Sequence, residues 1–64
     1  MVWPGNVISQ IGAIKQVLAS QPLSPKEIAG RFTGAKTDLV LKHLDILLVM
    51  GEVRENPDGR YEAA

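Results

Sequence analysis

The chain has 64 residues, seven Lys and Arg against seven Asp and Glu, one histidine and no cysteine. That length allows a single domain, residues 1–64, with a modest core; the missing cysteines exclude disulfides and thiolate zinc sites, and one histidine cannot hold a metal by itself. With 45% hydrophobic and 22% charged residues the composition is that of a globular domain rather than a disordered one, and its longest apolar run, Ile46 to Met50, is too short to span a bilayer.

The first helix is expected over 6–20. Pro4 and Gly5 punctuate the entry, and Asn6 is a favoured N-cap. Val7, Ile11, Ile14 and Leu18 recur at i, i+4, i+7 and i+11 on one face, flanked by Ile8 and Val17. Ser9, Gln10, Gln16 and Ser20 fall away from its centre. Trp3, just upstream, reads as a packing residue at the domain edge.

The second helix, 24–32, carries the clearest local signal. Ser24-Pro25-Lys26-Glu27 puts Ser at the N-cap, Pro at the first helical position and Glu at the third, which is a capping box. Leu23 and Ile28 are placed to form the hydrophobic staple, Ile28 and Phe32 share a face, and Gly34 is the expected stop. Gln21-Pro22-Leu23, ahead of the cap, is expected to be extended and to pair with the C-terminal hairpin as a third strand.

The third helix is expected over 35–50. At about 100° per residue, Val40, Leu44 and Leu47 centre its apolar face, with Leu41 and Leu48 on one flank and Leu39, Ile46 and Met50 on the other. Only Asp38, Lys42 and Asp45 form a polar strip, and Val49 interrupts it. Such a wide apolar arc requires either full cover within the chain or a second protein surface. Gly51 ends the helix. Glu52 to Glu62 then reads as a hairpin, with Val53 and Tyr61 inward and a turn at Asn56-Pro57-Asp58-Gly59, where Pro fixes φ and Gly accepts a positive φ.

Three helices closed by a two-stranded wing make the expected fold mainly α, a winged helix-turn-helix. By architecture its expected use is double-stranded DNA binding, with the third helix in a major groove and the wing on the backbone. Lys36, Thr37 and Lys42 then face bases or phosphates, Arg54, Asn56 and Arg60 belong to the wing, and Lys26 and Arg31 reach phosphate, with the Ser24 backbone N–H as a further donor. The alternative is a protein-docking or homodimerisation module using Leu39, Ile46 and Val49. No catalytic set is visible. Gly30 and Gly34 lack the Lys-Ser/Thr of a phosphate loop, Glu52, Glu55, Asp58 and Glu62 read as solvated charges, His43 as a partly buried helix residue, and Ser24 as a cap. No enzyme, cofactor, metal or membrane contact is expected, and the N-terminus lacks a signal-peptide pattern, so the expected location is cytoplasmic.

Trp3-Pro4, the Ile11 to Leu18 helix, Leu23-Ser24-Pro25-Lys26-Glu27-Ile28-Ala29, Arg31-Phe32-Thr33-Gly34-Ala35, Leu44 through Leu47 to Gly51, and Asp58-Gly59-Arg60-Tyr61 follow one another in a familiar order. Nearly the whole chain resembles the small winged-helix domain at the C-terminus of large bacterial adenine-modifying DNA methyltransferases of restriction-modification type. The resemblance implies an accessory module of DNA modification, or a small stand-alone relative. It carries no methyl-transfer motif. This chain departs from the family after Gly34-Ala35, where the family is rich in Arg and Lys and this chain has Lys36-Thr37-Asp38-Leu39, one base and one acid.

Overall fold

The computed structural model describes all 64 residues. Three helices, α1 (Val7–Leu18), α2 (Pro25–Gly30) and α3 (Thr37–Val49), precede two antiparallel strands, β1 (Val53–Glu55) and β2 (Tyr61–Ala63). The domain is mainly helical, and its order and hairpin are consistent with a winged-helix layout. Each helix is shorter than expected from the sequence by one or more residues at both ends, because the capping residues themselves stay outside the helical bonding pattern.

Local chemistry sets these limits. The Asn6 side chain accepts from Ser9 N at 2.9 Å and opens α1. Ser24 Oγ accepts from Glu27 N at 3.1 Å while Glu27 Oε1 accepts from Ser24 N at 2.9 Å, closing the capping box. Lys36 precedes α3 with no side-chain cap. At the other end of α3, Gly51 takes φ 75° and donates to Leu48 O, while Glu52 N donates to Leu47 O at 2.9 Å. This left-handed reversal satisfies carbonyls that the helix leaves open and turns the chain sharply into β1.

In the hairpin, Val53 faces Ala63, Arg54 faces Glu62, and Glu55 faces Tyr61. Asn56 organises the turn: its Oδ1 accepts from Asp58 N at 3.0 Å and Arg60 N at 3.1 Å. Gly59, at φ 80°, closes it by donating to Asn56 O. The expected third strand is present as a single antiparallel bridge, in which Leu23 and Tyr61 exchange backbone bonds of 3.0 and 2.7 Å. A second bridge, parallel, joins Val2 to Thr33, so the N-terminal residues run as a strap beside the segment that follows α2.

Ile14, Ile28, Val40, Leu44 and Leu47 are fully buried, joined in the core by Val17, Leu18, Leu23, Phe32, Val53 and Tyr61. Burying each large aliphatic side chain contributes about 1.5–3 kcal/mol, so this set is the main source of stability. Trp3 packs against the edge of that core, its ring 5.1 Å from Phe32 in an edge-to-face contact. The reading of α1 needs correction at three positions. Val7, assigned to the buried stripe, and Ile8 on its flank are 52% and 85% exposed, whereas Gln10, placed away from it, is 7% exposed. The buried face turns toward Val17 and half-buried Ala13, and the Gln10 amide finds two polar partners inside the fold.

Candidate nucleic-acid interface

Ion pairing divides the charged residues by region. Three of the seven cations are paired: Lys15 with Glu52 at 2.9 Å, Arg54 with Glu62 at 2.9 Å, and Arg60 with Glu27 at 3.2 Å. The remaining four, Lys26, Arg31, Lys36 and Lys42, make no ion pair, and all lie in the α2–turn–α3 segment. The unpaired carboxylates are Asp38 and Asp45 on α3, and Glu55 and Asp58 on the hairpin. The helix pair therefore carries an excess of free positive charge, and the hairpin carries free negative charge alone.

The expected nucleic-acid contacts sort along this division. Lys26, Arg31, Lys36 and Lys42 are exposed and uncommitted, and Thr37 is half-buried in the first turn of α3. Arg54 directs Nε and Nη2 to Glu62 Oε2 at 3.0 and 2.9 Å. Arg60 bridges from the hairpin to the start of α2 through Glu27. Asn56 is taken up by its turn, with Nδ2 donating to Glu62 Oε1 at 3.2 Å. The Ser24 N–H, offered as a phosphate donor, is already given to Glu27. The sequence showed these residue types, but the cross-strand register and the α2–hairpin approach decide which of them have partners.

The carboxylates respond to these contacts. The Ser24 backbone N–H, followed by Arg60, holds Glu27 below the ordinary carboxylate value of 4.5. Arg54, followed by Asn56, does the same for Glu62. Burial, with the nearby Glu55 and Asp45 carboxylates, raises Tyr61 above 10.0.

The solvent face of α3 is mixed. Asp38, Lys42 and Asp45 are exposed as expected, and Val49 among them is 89% exposed. Ile46 and Met50 beside it are 45% and 62% exposed, and Leu39 is half-buried. Asp45, Ile46, Val49 and Met50 line one shallow depression. A second groove, between the end of α1 and the start of β1, holds Lys15 and Glu52, which already bond each other, and no nucleophile.

Inside the fold, His43 is 3% exposed and its Nε2 lies 2.8 Å from Gln10 Oε1. Gln10 Nε2 donates to Pro4 O at 2.8 Å, and the Trp3 ring stacks on the imidazole at a centroid distance of 6.1 Å. Sequence reasoning found the histidine's burial but missed its glutamine partner. The signal available was position: Gln10 precedes Ile14 by four residues and therefore shares its face.

No group of three His, Asp or Glu side chains is arranged to hold a metal, and no helix is long and apolar enough to cross a membrane. No protein-family model matches this chain, and neither a curated protein nor a solved structure does.

Proposed function

We propose that this chain is a winged helix-turn-helix module that binds duplex DNA through α2 and α3, with modest affinity and marked salt sensitivity. The observation that carries this reading is the placement of all four unpaired cations between Lys26 and Lys42. Phosphate binding draws on cations that are free to neutralise phosphates and so displace the DNA's condensed counterions, and cations already neutralised by carboxylates contribute less. The hairpin would be the wing, but with its arginines paired and Glu55 and Asp58 free it is a poor phosphate contact. The resemblance to methyltransferase C-terminal domains suggests the setting, an accessory module of DNA modification or a small regulator; catalysis is no part of this role.

The test is a backbone NMR titration of the labelled chain with a short duplex, at low and then moderate salt. Shifts centred on Lys26, Arg31, Lys36 and Lys42 that fade with salt support the reading. An unchanged spectrum at low salt overturns it.

A second reading rests on a different observation, the exposure of Ile46, Val49 and Met50 together on α3. An apolar cluster of this kind on a small domain suits a protein partner or a second copy. Concentration-dependent sedimentation that disappears in Val49→Lys supports the homodimer, and a monomer at every concentration removes it.

A further inference from the structure

The geometry points to a proton-operated clamp: His43, bonded through Nε2 to Gln10, latches the Met1–Pro4 strap to the helices, and a proton taken up at Nδ1 releases it. The inference rests on the fold alone and does not depend on the DNA-binding reading.

The strap has few anchors. Thr33 N donates to Met1 O at 2.7 Å, Trp3 N donates to Thr33 O at 3.3 Å, and the Met1 ammonium donates to Arg31 O at 3.3 Å. Met1 and Val2 are 67% and 82% exposed. The inner end is held by Trp3, between Phe32 and His43, and by Pro4 O, which accepts from Gln10. His43 therefore sits where the strap, α1 and α3 meet.

The hydrogen bonds fix where the protons are. Gln10 spends its amide N–H₂ on Pro4 O, so the atom it turns to His43 is the carbonyl Oε1, which only accepts. The Nε2 of His43 must carry the hydrogen. In a neutral imidazole Nδ1 is then bare, and this atom is buried with no partner. A proton arriving from solvent at Nδ1 creates an N–H and a full charge with no acceptor in reach.

No surrounding element offers compensation. The strap's one charge, the Met1 ammonium, is directed at Arg31 O. On α1 the one charged residue, Lys15, is paired with Glu52. On α2 and at its end, Lys26, Glu27 and Arg31 are exposed, and Glu27 is occupied by Arg60. On α3 itself Asp38, Lys42 and Asp45 lie on the solvent strip. Burial alone holds the imidazole below its ordinary 6.5.

Hydrating a proton at Nδ1 requires part of the fold to open, either the helical core or the strap. The first requires separating Val40, Leu44 and Leu47, all fully buried, from their neighbours. The second breaks the short set of strap contacts and leaves the core intact. Protonation therefore opens the strap before the domain.

The test is native-state hydrogen exchange followed by NMR as pH is lowered from about 7.5 to about 5, a window that brackets the imidazole. After correction for intrinsic rates, protection at the Thr33 and Trp3 amides should fall by up to about tenfold per pH unit below 6.5, the signature of one proton. Leu44 and Leu47, which exchange only when the whole domain opens, should stay far better protected than Thr33 throughout. His43→Gln, which cannot ionise and retains a donor for Gln10, should remove the dependence. A flat profile at Thr33, Thr33 protection no lower than that of Leu44, or the same slope in His43→Gln would overturn the clamp. A direct measurement needs no variant: the His43 ring and Trp3 indole resonances must titrate with one midpoint. An imidazole that titrates while the indole stays still also overturns it.

Discussion

Gln10 and His43, 33 positions apart in sequence, meet side chain to side chain at 2.8 Å in the interior. The pair joins α1 to α3, and through Pro4 O it also ties in the N-terminal strap. Removing one member leaves buried polar atoms unpaired, while replacing both with apolar groups removes the need. Gln10→Ala should therefore cost about 1–3 kcal/mol, and Gln10→Leu with His43→Phe should cost less than the two single changes added together. Urea denaturation of the four proteins in the cycle measures the coupling. Strict additivity would show that the bond contributes nothing specific.

The capping box at Ser24 makes a second prediction. The α2 helix has only six residues, too few to be stable without tertiary support, so its N-terminal bonds matter. Ser24→Ala removes the acceptor for Glu27 N and should cost about 1 kcal/mol, whereas Ser24→Asp should retain most of the stability. Thermal melts of both variants decide this. Equal melting temperatures for Ser24→Ala and the parent would mean that the Ser24 hydroxyl does not stabilise the helix.

The same elements show what the sequence made legible. Local signals were sufficient for the Asn6 and Ser24 caps, the Gly51 stop, the Asn56–Gly59 turn and the Val40, Leu44 and Leu47 face, because each follows from neighbours in the chain. The bridge from Leu23 to Tyr61 was also foreseen, from an extended stretch before a cap. What was not legible depended on approach between distant segments. The Val2–Thr33 bridge joins residues with no strand pattern around them. The Gln10–His43 bond puts a polar residue on an apolar face. The pairing of Arg60 with Glu27 links the hairpin to α2, so residue type alone suggested free wing arginines where the fold supplies carboxylates.

Acid should destabilise the domain in two windows. Glu27 and Glu62 have folded-state values below the ordinary 4.5, so the folded state binds their protons less readily than the unfolded chain. Their contribution is complete above 4.5 and is lost as pH falls through the lowered values. His43 is also depressed, from 6.5, and it adds a separate loss that begins as pH falls below that value. Glu27 is exposed and Glu62 half-buried, each on an exposed arginine, so their effect should be small and screened by salt. Melting temperatures against pH should show both steps. Glu27→Gln with Glu62→Gln should flatten only the lower one. A lower step that persists unchanged in that variant would assign acid loss to other carboxylates.

The proposed interface can be tested with two variants that change net charge equally. Lys36→Ala with Lys42→Ala removes two unpaired cations from the helix pair. Arg54→Ala with Arg60→Ala removes two cations that Glu62 and Glu27 already neutralise. If phosphates are contacted through α2 and α3, the first variant should reduce the slope of log K against log salt by about 1.8, near 0.9 for each lost contact. The second should leave that slope almost unchanged, although the added negative charge lowers affinity slightly at low salt. Fluorescence anisotropy with a labelled duplex across a salt series provides both slopes. The opposite ranking, with the arginine variant losing the slope, would mean that Arg54 and Arg60 leave their carboxylates to meet the phosphates and that the hairpin is the principal contact.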